Sequence, residues 1–193
     1  MRVKALTGEA LEAVLDDVAA LRIEVFREYP YLYDGNPAYE RDYLAHYRGN
    51  PGAIVVGAFD GDRLVGAATG TAMEDHADDF AAAFSNTGHD LGDIFYCAES
   101  VLLKEYRGQR IGHLFFDLRE DHARAMGRTH AAFCAVIRPD DHPLRPEGYR
   151  PLHGFWRKRG YAPLPGVVAE FSWKDVDREA ETPHELQFWM REL

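Results

Sequence analysis

AESVLLKEYRGQRIGHLFFDLREDHA, residues 98 to 123, is the stretch from which the rest of the chain is read. It begins inside an apolar run, Ile94 to Leu103, that predicts a strand. It then passes through the turn Arg107-Gly108-Gln109-Arg110-Ile111-Gly112. Behind the turn Ile111, Leu114, Phe115, Leu118, His122 and Ala125 recur at helical spacing, and Gly127 is a natural stop. The first N–H groups of a helix have no intrahelical partner, and the macrodipole adds partial positive charge there. Such a turn binds phosphate with its backbone. Gly108 and Gly112 leave room for a ligand to approach the main chain, and Arg107 and Arg110 add charge-assisted contacts. The competing reading is a helix start with no ligand.

Outward from this stretch, Arg2 to Leu6 predicts a short first strand, and Glu9 to Arg22 a helix that Thr7 caps. Pro30 and Asp34-Gly35-Asn36-Pro37 separate that helix from a second one, on which Tyr39, Tyr43 and Tyr47 share a face. Ala53 to Phe59 and Arg63 to Met73 read as strands joined at Asp60-Gly61-Asp62. The small residues Gly66, Ala67, Ala68 and Gly70 imply close approach by something on one face. Phe80 to Phe84 suits a short helix, Ala131 to Ile137 a buried strand, and Pro151 to Arg159 a short helix closed by Gly160. Val167 to Val176 and Glu185 to Arg191 are the final strands. A helix between the strands Ile94 to Leu103 and Ala131 to Ile137 implies a parallel crossover, while the hairpins imply antiparallel pairing. The fold class is therefore α/β with a mixed sheet, in one domain over residues 1 to 193.

Composition narrows the partners. Lys plus Arg is 22 and Asp plus Glu 32, a formal charge of −10, which argues against non-specific nucleic-acid binding, since that needs a basic face. It suits a cationic acceptor. No apolar run approaches a membrane span and the N-terminus has no signal core, so a cytoplasmic protein without membrane contact is expected. Cys97 and Cys134 sit in apolar runs and read as buried free thiols. No tight metal-ligand spacing occurs. Asp75-His76 with Asp78-Asp79, and Asp140-Asp141-His142, read as solvated loops.

The turn and its lead-in Tyr106-Arg107-Gly108 resemble the GNAT superfamily of acyl-CoA-dependent N-acyltransferases, whose signature is [Gln/Arg]-x-x-Gly-x-[Gly/Ala] after a strand. Arg107 fills its first position and Gly112 its last, while Arg110 stands where the family usually has Gly. Phe155-Trp156-Arg157-Lys158-Arg159-Gly160-Tyr161 is similar to a second family segment, and the element order agrees over roughly residues 1 to 176. The resemblance implies a sheet splayed where the cofactor enters. It also implies direct transfer of an acyl group, most simply acetyl, from acetyl-CoA to a primary amine in one ternary complex. Pantetheine would lie along Val101, Leu102 and Leu103, with Leu102 or a neighbour donating to the oxyanion. The pyrophosphate would rest on Arg107, Gly108, Gln109, Arg110, Ile111, Gly112 and His113, although His113 has the alternative of capping an exposed face.

The attacking amine must lose a proton, and Glu99, a carboxylate in an apolar strand, is the candidate base. Burial would raise its pKa toward neutrality. The alternative is a Glu99 at a sheet edge or paired with an arginine. The family's usual acid, a tyrosine, aligns with Trp156, which has no useful acidity, so Tyr149 is the first substitute, with Tyr161 and Tyr106 behind it. Tyr31 and Tyr33 are candidates for the acceptor wall, whereas Tyr39, Tyr43 and Tyr47 more simply pack a helix on the sheet. The acceptor is a small-molecule or peptide amine. The C-terminal segment QFWMREL could present aromatics to a second copy of the chain, making a homodimer. A non-catalytic acyl-CoA-binding module is the rival function, to which Trp156 and Arg110 point. A third reading is an interaction protein that kept only the fold.

Overall fold

The computed structural model describes residues 1 to 193. In chain order the elements are β1 (Arg2–Leu6), α1 (Gly8–Glu12), α2 (Leu15–Phe26), α3 (Pro37–Leu44), β2 (Ile54–Asp60), β3 (Arg63–Ala72) and α4 (Ala77–Phe84). There follow β4 (Ile94–Tyr96), β5 (Ser100–Leu102), α5 (Ile111–Ala125), β6 (His130–Val136), α6 (His153–Lys158), β7 (Ala162–Trp173) and β8 (Thr182–Glu192). The sheet runs β1-β2-β3-β4-β6-β8-β7, with β5 also on β3. β4 and β6 pair in parallel across the α5 crossover, and every other pair is antiparallel. The sheet is mixed, as expected.

Several expectations are corrected. The first helix is two, because Val14 bonds back to Leu11 in a tight turn that ends α1 before α2 begins. Thr7 occupies the cap position, but its hydroxyl makes no capping bond. Asn36 does cap, its Oδ1 accepting from the N–H groups of Ala38 and Tyr39 ahead of Pro37. The run QFWMREL is not an exposed strand. β8 lies between β6 and β7, and Phe188, Trp189 and Met190 are buried within the chain's own core.

The correction that matters most is at residues 94 to 103. They are not one strand. Thr71 pairs with Tyr96 and Ala68 with Ser100, so three steps along β3 face four steps along its partner. The Thr69 carbonyl accepts from the Ala98 N–H, and the Thr69 N–H donates to the Glu99 carbonyl. Two residues thus oppose one, which is a β-bulge, and a bulge bends the strand that carries it. β4 stays beside β6, whereas β5 follows β3 away from it.

Side chains alternate across this sheet. Phe95 and Cys97 join the core built on α5 with Phe115 and Phe116. Ile94 and Tyr96 join a second core with Phe80 and Phe84 of α4. The small residues of β3 admit neighbouring strands. A Cβ on Gly66 would lie 2.5 Å from Leu102 Cδ1 and 3.1 Å from the Val101 carbonyl oxygen, and one on Gly70 would lie 2.4 Å from the Phe95 ring. Substitution Gly66→Ala is expected to destabilise the protein by about 1–3 kcal/mol through overpacking between β3 and β5, read as a lower urea midpoint.

Candidate active site

Past the bulge, hydrogen-bond alternation decides which amides are free. The Leu103 N–H bonds to the Val65 carbonyl and the Glu99 carbonyl to Thr69, so Val101, in register with Ala67, also faces β3. The N–H and C=O of Ser100 and Leu102 therefore face the other way, into the gap. On the opposite side the Ala132 carbonyl accepts from the Cys97 N–H, and the Ile137 N–H turns to Glu185 on β8. By the same alternation Cys134 and Val136 turn their backbone groups into the gap. The result is a V between two strand edges, with unpaired main chain on both walls. Of Val101, Leu102 and Leu103, only Leu102 offers its amide to this cleft. Its carbonyl accepts from Arg107 Nε at 3.0 Å.

The chain leaves β5 directly for the turn before α5. The N–H groups of Gly108, Gln109, Arg110, Ile111 and Gly112 make no hydrogen bond within the chain. Those of Arg107 and His113 are used, by the Lys104 and Arg110 carbonyls respectively. Gly108 and Arg110 both take positive φ, 79° and 65°, which curls the donors toward one side. Arg110 does so as a non-glycine residue, at a cost of about 1–2 kcal/mol, where a glycine would be unstrained. Nothing of the protein fills the space beside Gly108, and a Cβ on Gly112 would meet only Phe155, at 3.6 Å. Five open donors at a helix start fit a pyrophosphate. The His113 ring packs edge-on against Phe155 at 4.9 Å, with Arg159 beside it, and so leans toward α6. Arg107 also reaches Glu28 at 2.8 Å in an exposed pair of small energetic consequence.

Glu99 lies in the bulge with 6% of its surface exposed. Its Oε2 accepts from Arg22 Nη1 at 2.9 Å and from the Tyr43 hydroxyl at 3.0 Å, while Oε1 is buried without a partner. Glu99 is thus desolvated, as expected of the base, and also paired with an arginine, the arrangement set against that role in the sequence. Arg22 also bonds Glu40, which is wholly buried and likewise has an unpartnered Oε1. The Tyr43 ring lies against the guanidinium, 4.2 Å from its carbon to the ring centroid. Burial would depress the Arg22 guanidinium, but Glu99, Tyr43 and Glu40 outweigh it and hold the charge firmly. Two carboxylates share one cation, which leaves the group one charge negative.

The acceptor-wall tyrosines stand beside this group. Tyr31 packs on Phe26 at 4.6 Å and Trp173 at 6.1 Å, with its hydroxyl against the Val136 backbone, and burial raises its pKa. Tyr33 meets Tyr39 at 6.5 Å and lies near Glu40. Their loop is clamped by Arg138, which donates to the Pro30 and Tyr31 carbonyls and pairs through both Nη atoms with buried Asp175. Tyr47 is buried with its hydroxyl on Thr69, Tyr43 reaches Glu99, and Tyr39 is 53% exposed. Tyr149 packs edge-on against Tyr29 at 4.7 Å, next in sequence to Glu28, and burial raises its pKa. Trp156 is a packing residue against Phe133 and Trp189.

Sequence reading missed Arg22, Arg138 and Asp175, and it missed that the backbone of Cys134 and Val136 lines the cleft; Glu40 was within reach as a carboxylate of the tyrosine-rich stretch suited to a cation. A signal existed for Arg22. It follows Leu15 and Val18 on the apolar stripe of α2, a place where a charge needs a buried partner.

The model of the Acetyltransferase (GNAT) family matches residues 17–161. No curated protein matches the sequence. Among solved structures, ribosomal-protein-alanine N-acetyltransferase from Brucella melitensis aligns with a TM-score of 0.63 at 14% identity, over 100% of both chains. Polyamine N-acetyltransferase of Drosophila melanogaster, which forms N-acetylagmatine, aligns at 0.59 and 11%, again over 100% of both. A Salmonella typhimurium protein solved with its cofactor acetyl-CoA aligns at 0.57 and 10%, over 100% of this chain and 95% of that one. At these identities the likeness is one of fold.

Two outcomes follow from the site geometry. Arg110→Gly should raise unfolding stability by about 0.5–1 kcal/mol by relieving the left-handed strain, measured by urea titration. Both cysteines are buried, and burial pushes the Cys134 thiol up to about 12. A disulfide reagent at neutral pH should therefore titrate neither thiol in the folded protein and both in denaturant.

Proposed function

The chain belongs to the acetyltransferase (GNAT) family, and from that premise we propose that it moves an acetyl group from acetyl-CoA to a primary amine by direct attack in a ternary complex. The observation that carries this is the V between β5 and β6, with the Leu102 amide on one wall and five open N–H groups at its mouth. In this reading Gly108 to Gly112 hold the pyrophosphate, with Arg107 and Arg110 adding charge. Pantetheine pairs with the β5 edge. The Leu102 N–H donates to the thioester carbonyl, and that bond strengthens as the oxygen becomes an oxyanion.

The amine enters as an ammonium. The surplus negative charge of Glu40, Arg22 and Glu99, and the aromatic faces of Tyr31 and Tyr33, favour a cation there. Glu99 takes the ammonium proton, directly or through a water, and its unpartnered Oε1 is the atom available for this. The neutral nitrogen then attacks the carbonyl carbon. Collapse of the tetrahedral intermediate breaks the C–S bond; Tyr149 protonates the departing thiolate and is reprotonated by the proton that the nitrogen, positively charged after attack, must shed, while the proton on Glu99 passes to solvent. The products are an acetamide and CoA.

Calorimetric titration with acetyl-CoA should saturate at one ligand per chain, and a panel of small cationic amines followed by thiol release should identify an acceptor. Absence of binding at millimolar ligand would end the reading. With an acceptor in hand, Glu99→Gln should lower kcat by about 10²-fold or more with the KM for acetyl-CoA nearly unchanged. A loss confined to KM would remove Glu99 from the proton path.

A further inference from the structure

Arg119 is 1% exposed and is among the largest fully buried side chains of the protein. No carboxylate lies within ion-pair distance of it. The neighbouring Glu120 is taken by Arg159, Arg191 and Tyr161. Arg119 Nε donates to the Phe115 carbonyl on its own helix at 3.1 Å. Its other bonds go to the bulge, to the partner strand opposite it and to the first residue of β5. Nη1 donates to the Thr69 and Glu99 carbonyls, each at 3.0 Å, and Nη2 to Ser100 Oγ at 2.9 Å. Those two carbonyls are the ones whose other bonds define the bulge, from the Ala98 N–H to Thr69 and from the Thr69 N–H to Glu99.

A buried guanidinium without a counter-ion is expensive, and filling the same space with an apolar side chain avoids that cost. What the apolar chain cannot do is hold two carbonyls and a hydroxyl at fixed angles. The fork of Arg119 ties α5 to the point where the strand bends, three residues before Leu102, whose amide faces the cleft. We infer that Arg119 is a positioning residue for acetyl transfer, setting the direction of the Leu102 N–H by fixing the bulge from behind. This rests on the reading of Leu102 as the donor to the thioester carbonyl. The guanidinium touches neither substrate and acts through the main chain it holds. Lysine retains the charge but not the planar fork, so it cannot replace all three contacts.

The test requires no acceptor amine. Acetyl-CoA labelled with ¹³C at the carbonyl is bound to wild type, Arg119→Lys and Ser100→Ala, and the carbonyl stretch is recorded by infrared difference spectroscopy. In wild type the band should move to lower frequency than in free acetyl-CoA. Arg119→Lys should bind acetyl-CoA within a few-fold of wild type while the band returns most of the way to its free position. Ser100→Ala, which removes one contact at an exposed side chain, should give an intermediate band and keeps the test informative if Arg119→Lys fails to fold. Once an acceptor is known, Arg119→Lys should lower kcat by about 10-fold or more, short of the 10²–10³ expected for losing an oxyanion donor outright. A shifted wild-type band that neither substitution moves overturns the role of Arg119 while leaving Leu102 intact. No shift in wild type removes the Leu102 donor, and this inference with it.

Discussion

The cleft depends on one residue too many. Where β3 advances three positions its partner advances four, and the surplus at Ala98–Glu99 forces β5 to part from β6. Without that bulge, β4 and β5 would be one strand whose outer edge could pair with β6 along its whole length. The amides of Ser100 and Leu102 would then be consumed by the sheet. A bulge leaves polar groups that a regular ladder would satisfy, and buried backbone groups do not stay unpaired. This chain answers with arginines on both sides, Arg119 holding the carbonyl of Glu99 and Arg22 holding its carboxylate.

Buried arginines recur as the means of anchoring irregular chain. Arg138 does for the loop of Tyr31 what Arg119 does for the bulge, giving donors to two loop carbonyls while Asp175 takes the rest of its fork. Guanidinium suits this task because its five donors lie in one plane and reach several acceptors at once. The pairs are not equivalent in charge. Arg138 and Asp175 balance, whereas Arg22 faces two carboxylates, and that imbalance lies in the bulge beside the cleft. The anion turn has the opposite character. Its donors are main chain, open to solvent and clustered at a helix start, and Arg110 accepts a left-handed conformation to complete them.

Three of the sequence's expectations changed in meaning once packing was visible. Gly66 and Gly70 mark close approach, as their type implies, and the visitors are Leu102 and Phe95 of the neighbouring strands rather than a ligand. Glu99 was expected as a desolvated carboxylate, and it is desolvated, but as the partner of Arg22 and Tyr43. The C-terminal aromatics, expected at a surface, fill the interior because β8 is the penultimate strand of the sheet.

What the sequence by itself determined was local. The turn from Arg107 to Gly112, the amphipathic α5 behind it, the crossover to β6 and the hairpin at Gly61 are each specified by residues within a few positions of one another, where periodicity, glycine and capping act. The tertiary structure alone decided the bulge, because a surplus residue exists only relative to a partner strand. It alone decided which of Val101, Leu102 and Leu103 turns its amide outward, since a shift of one residue in register reverses that choice. It also chose the partners of Arg22, Arg119 and Arg138. A charge on an apolar helical stripe announces that a partner must exist, but its identity depends on which distant segments the fold brings into the same dry space.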